Sequence, residues 1–135
     1  MRKAILILIF AAMVISAFAP DKADGIAQAD PPTKEELAKQ AEEAARDNRL
    51  TKAMHAGRVI KNSLRDPDSL KWQTIRANDD ATVLCYVYRA RNGFGGMNLE
   101  HAAVVGTLIS TSAKVWKRNC QDKNLHDVTG AQHGI

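Results

Sequence analysis

Apolar residues are distributed along this chain in three different ways. From Ala4 to Ala19 they form one run, preceded by Arg2 and Lys3 and ended by Pro20 and the charges of Asp21, Lys22 and Asp24. Between residues 50 and 64 they recur at spacings of three and four, through Leu50, Met54, Gly57, Ile60 and Leu64. From Lys71 onward, β-branched and aromatic residues take over, broken by turn-forming clusters.

The first pattern is that of a secretory signal, with a basic n-region and an apolar h-region shorter than the roughly 20 residues a membrane span needs. Two small-residue triplets offer cleavage sites, Ala17-Phe18-Ala19 and Ala27-Gln28-Ala29. Proline at position 20 is a poor residue after a cut, so the second is preferred and residues 1–29 are read as the signal segment. The chain is therefore expected to be exported to the periplasm or beyond, or, if uncleaved, held at the inner membrane through this segment alone. The first cysteine is Cys85, which leaves no acceptor for lipidation near the N-terminus.

Residues 30–33 read as a linker stiffened by Pro31 and Pro32. The second pattern predicts a helix over 34–64. Thr33 is placed to cap it, Glu36 to complete a capping box, and Glu35 and Glu36 put negative charge at the positive end of the helix dipole. Its first half has only Leu37 and alanines on its apolar stripe, so that half is expected to project or to pack weakly. Its second half should bury one face and show Lys52, Arg58, Lys61 and Arg65 to solvent. Asp66-Pro67 stops it, and Asp66 can cap a short turn through Ser69.

The third pattern predicts a sheet over 71–120. One strand holds Trp72, Thr74 and Ile75, and Asn78-Asp79-Asp80 turns it into a second, Thr82 to Arg91. A glycine-rich connection, Asn92 to Gly96, leads to a third strand from Met97 to about Ile109, and a last strand is expected over about Ala113 to Cys120. The remainder, 121–135, is polar and reads as a flexible tail. The whole is an α+β fold: a long N-terminal helix on an antiparallel sheet of three to four strands, in one domain over 34–120.

Charge and cysteine content refine this picture. The chain carries +4 formally, and +3 without residues 1–29, which hold three of its 19 basic and two of its 15 acidic residues. Such mild basicity suits an anionic polymer or surface without selecting one. Two cysteines in a small exported chain read as one disulfide, Cys85 to Cys120, since neither a Cys-x-x-Cys spacing nor neighbouring histidines favour redox or metal chemistry.

Candidate chemistry is sparse. The glycine-rich connection lacks a following Lys-Ser or Lys-Thr and a helix, so it is no nucleotide P-loop. Two readings of it stand. In one it is a tight turn, with Asn92-Gly93 at positive φ and Phe94 tucked onto the sheet; in the other it is a recognition loop made by Arg89, Arg91, Asn92, Gly93, Phe94, Gly95, Gly96 and Met97. His55, His101, His126 and His133 show no metal-ligand spacing, and Glu100 and His101 should point to opposite faces of their strand. The carboxylate pairs Asp66/Asp68 and Asp79/Asp80 fall where caps and turns call for them, and no Gly-x-Ser-x-Gly elbow is present. No catalytic, cofactor or metal site is predicted.

Two segments carry a resemblance: Arg65-Asp66-Pro67-Asp68-Ser69-Leu70-Lys71-Trp72, and Arg91-Asn92-Gly93-Phe94-Gly95-Gly96-Met97, with Cys85 between them. Residues 50–106 resemble a group of small exported bacterial proteins and lipoproteins, some from mobile elements, that share these features. The resemblance implies an envelope location and an autonomous domain, and transfers no catalytic role. The function expected is a non-enzymatic interaction module for an envelope protein or anionic polymer. The alternatives are a small secreted effector, hydrolase or inhibitor acting on cell-wall polymer or nucleic acid through His101 and nearby carboxylates, and a structural accessory of a secretion or conjugation complex.

Overall fold

The computed structural model describes residues 31–135; the expected signal segment, 1–29, lies outside them. Helix α1 (Lys34–Ser63) begins at the predicted capping box: the Glu36 amide donates to the Thr33 hydroxyl, and the Glu36 carboxylate accepts from the Thr33 amide at 2.7 Å. These bonds hold the Glu36 carboxyl below its usual range. The first half of the helix is exposed, as its thin apolar stripe implied. Burial starts at Arg49 and continues through Ala53, Ala56, Gly57 and Ile60. The buried line is thus shifted from the expected one. Small residues allow the helix backbone to approach the sheet closely, while Leu50, Met54 and Leu64 pack at the flanks.

After α1, a single 3-10 turn (Pro67–Ser69) leads into five strands rather than three to four. They are β1 (Lys71–Ala77), β2 (Val83–Arg91), β3 (Met97–Val105), β4 (Leu108–Ser110) and β5 (His126–Asp127), in the order β4-β3-β2-β1-β5, all antiparallel. The long strand expected over 97–109 is a hairpin. Gly106, at φ 61, occupies the first position of a two-residue turn, a place where type II′ geometry requires positive φ. The strand expected over 113–120 is helix α2 (Ala113–Asn119). The segment 121–135, expected to be a flexible tail, forms β5 and a 3-10 helix (Thr129–Gly134) that packs on β1 and α1.

The pleat sends alternate residues to two faces. One carries Ile75, Ala77, Leu84, Tyr86, Tyr88, Ala90, Ala102 and Val104 against α1, Val128 and Ala131. Trp72 joins it, 5.5 Å from Tyr86 and 5.6 Å from Tyr88 between ring centres. The other carries Cys85 and Ala103 beneath α2, with Val115, Trp116 and Leu125 around them. Cys85 bonds Cys120 across a Cα separation of 5.8 Å, tying the centre of the sheet to the end of α2. The predicted α+β fold and its disulfide are both present. Among the described residues no helix is long and apolar enough to cross a membrane.

Candidate functional site: the β2–β3 hairpin tip

The residues proposed for recognition sit at one end of the molecule, where β2 turns into β3. Asn92 organises the turn. Its backbone amide donates to the Gly96 carbonyl at 2.8 Å and its carbonyl accepts from Gly95 at 3.2 Å. Its side-chain oxygen accepts from the amides of Phe94 (3.0 Å) and Gly96 (2.9 Å), and its side-chain nitrogen donates to Asn98 at 3.2 Å. Positive φ falls at Gly95 (86°), not at the expected Asn92-Gly93. With the loop closed this way Phe94 points away from the sheet and is 100% exposed. The tight-turn reading, which placed Phe94 on the sheet, is corrected by this geometry.

The turn before β1 braces the tip from one side. Asp66 pairs with Arg91 at 3.2 Å, so its carboxylate, expected to cap the short turn, reaches across to β2 instead. The Ser69 hydroxyl accepts from the Arg91 amide at 2.9 Å and donates to the Asp66 carbonyl at 2.7 Å. The Arg65 guanidinium lies where a Cβ on Gly93 would be, so it takes the space that the glycine leaves open. Segments 65–72 and 91–97, far apart in sequence, therefore form one structural unit. Sequence spacing alone did not place them together.

The pairing Lys71↔Arg89 and Arg89↔Leu99 puts two cations and a leucine in one row across the sheet, next to Arg91↔Met97. Leu99 is 58% and Met97 40% exposed, on the side of the sheet that α2 leaves uncovered at this end.

The remaining candidates are dispersed. His101 lies opposite Val87 on the α2 side and packs against Trp116 with the rings tilted and their centres 4.8 Å apart; its Nε2 is buried with no hydrogen-bond partner among the described residues. Glu100 is on the opposite face beside Tyr88, as the pleat requires, so the two form no acid–base pair. Burial, and secondarily Glu100, raise the Tyr88 phenol. His126 meets Asp79 at an exposed site, a pairing set by the docking of β5 beside β1. The Asp80 carboxylate binds the hydroxyl (2.8 Å) and amide (3.2 Å) of Thr82, which lowers its pKa and closes the β1–β2 turn. Ser112 stands at the N-cap of α2 without a side-chain bond to it.

Among the described residues no group of three His, Cys, Asp or Glu side chains converges as a metal site. An open groove of about 360 Å³ lies between α1 and the β3–β4 end of the sheet, lined by Lys52, His55, Ala56, Leu84, Val104 and Gly106. It brings no second titratable group to His55 beyond Lys52, whose ammonium is bound to the Asp80 carbonyl at 3.1 Å. Comparison with protein-family models, with curated proteins and with solved structures gives no match.

Proposed function

We propose that this protein is an exported, non-enzymatic interaction module of the cell envelope, and that it makes contact through the hairpin tip Asn92 to Met97 with Arg89 and Arg91. The observation that carries this reading is Phe94, wholly exposed on a loop whose backbone is closed by Asn92 and braced by Asp66 and Ser69. A connection needed only to reverse the chain gains nothing by holding a phenyl ring in water. A rigid loop presenting an apolar anchor reduces the ordering cost of binding. Export is supported by the basic and apolar pattern of residues 2–19 and by the disulfide, which forms and persists in oxidising compartments.

The test is Phe94→Ala. Among the described residues nothing packs on this ring, so the variant should melt within a degree or two of the unsubstituted protein while its retention of envelope components drops at least about tenfold, the loss of one apolar anchor. Equal retention by both forms would remove the tip as the contact surface.

A further inference from the structure

Resting on that reading of the tip, we infer that its partner is an anionic phospholipid surface, with Phe94 entering the interface and Lys71, Arg89 and Arg91 lying among the headgroups. Three observations converge. The first is charge. Lys71 and Arg89 stand directly opposite each other on β1 and β2, an arrangement that destabilises a sheet unless an anion comes between them. Neither has an ion-pair partner among the described residues; of the nearby cations only Arg91 is paired, with Asp66. Arg65 adds a further cation beneath Gly93, and the acids at this end are Asp66 and Asp68, with Glu100 turned to the other face.

The second observation is apolar exposure in register with that charge. Phe94 is 100% exposed at the tip, Met97 40% and Leu99 58% on the adjoining strand, and Leu99 is the cross-strand neighbour of Arg89. Apolar side chains beyond a collar of cations are what interfacial binding to anionic lipid requires. The third is shape. The tip is the end of the β2–β3 hairpin with Phe94 wholly exposed on it, and the grooves along α1 and at the β3–β4 end include none of its residues. An exposed apolar side chain at a hairpin end enters a bilayer interface without needing a complementary pocket.

The experiment uses the full chain carrying Phe94→Trp, with the unsubstituted chain supplying the Trp72 and Trp116 background. Vesicles of equal phosphatidylglycerol and phosphatidylcholine, with brominated acyl chains, are compared with brominated phosphatidylcholine alone. Residues 1–29 are the same in the variant that loses Lys71 and Arg89, so vesicle binding through them is common to both proteins and the difference between the two reads the tip. Emission from the indole introduced at position 94 should be quenched in the anionic vesicles and not in the neutral ones. Replacing Lys71 and Arg89 by glutamine should weaken that quenching titration about thirtyfold, from the contribution of two cations near a charged surface. An indole at this position left unquenched by anionic vesicles, or quenched equally by neutral ones, overturns the lipid assignment. A photo-crosslinker at position 94 separates the two levels. If vesicles fail and it captures an envelope protein, only the lipid assignment falls; if neither engages it, the contact-tip reading falls too.

Discussion

The phenol of Tyr86 lies fully buried between β2 and α1 and donates to the Ala53 carbonyl at 2.8 Å. Burial raises its pKa far above the ordinary tyrosine value. The unfolded phenol ionises near pH 10 and the folded one does not, so this contribution is whole below that pH and is lost as pH rises beyond it, by about 1.4 kcal/mol per unit. Tyr86→Phe should cost about 1 kcal/mol at pH 7, for the lost hydrogen bond, and should flatten the alkaline decline. Urea midpoints measured from pH 7 to 11 decide it; parallel declines in the two proteins would show that another group governs base unfolding. Phe94 is the opposite case. Its apolar character suggested a place on the sheet, and the side-chain bonds of Asn92 to the Phe94 and Gly96 amides turned it outward. Hydrophobicity orders positions along a strand, but in a loop closed by an Asx side chain local hydrogen bonding takes precedence.

Elements were legible where their signals are local. The capping box, the stop at Pro67, and the β1–β2 turn at Asn78-Asp79-Asp80 each involve residues within a few positions of one another. Helix α2 was read as a strand because Val115 and Trp116 favour β structure, and a helix of seven residues is too short for its period to declare itself. Its burial against Cys85 and Ala103, and the bond at Cys120, are tertiary facts. The split of the third strand did have a signal, Gly106-Thr107 between two apolar stretches. The turn can be tested cleanly, since a Cβ on Gly106 would meet nothing within 4 Å while its φ is 61°. Gly106→Ala should therefore cost about 1 kcal/mol through backbone strain alone. Gly130, equally uncrowded and without positive φ, supplies the control: its alanine variant should stay within about 0.5 kcal/mol of the parent in the same chemical denaturation. Similar losses in both would mean that strain is not the cause.

At the scale of the molecule α1 covers one face of the sheet and α2 part of the other, and the disulfide fastens the smaller of the two cores. Replacing Cys85 and Cys120 together by alanine frees a loop closed over a separation of 35 residues and should cost roughly 2–4 kcal/mol, read as a fall in urea midpoint. A midpoint that does not move would place the stability of that face in α2 packing alone. The order of residues 121–135 was the largest difference between expectation and structure. Only Val128 and Ala131 in that segment are buried apolar side chains, and the Val128 amide bonds the carbonyl of Ile75, far back in the chain. Thr129 receives the Ile75 amide at 3.0 Å, Arg58 binds the Gly134 carbonyl through two nitrogens at 3.0 and 2.6 Å, and Gly57 leaves room for Ile135. No local pattern announces contacts of that span.

Those same contacts have a temporal meaning. The strand that receives β5, and the helix turns that receive Gly134 and Ile135, are made by the ribosome long before their partners. The contacts of β1 and α1 with residues 126–135 thus form last. Until they emerge, β1 is the edge of a four-stranded sheet, open on the side that β5 later takes.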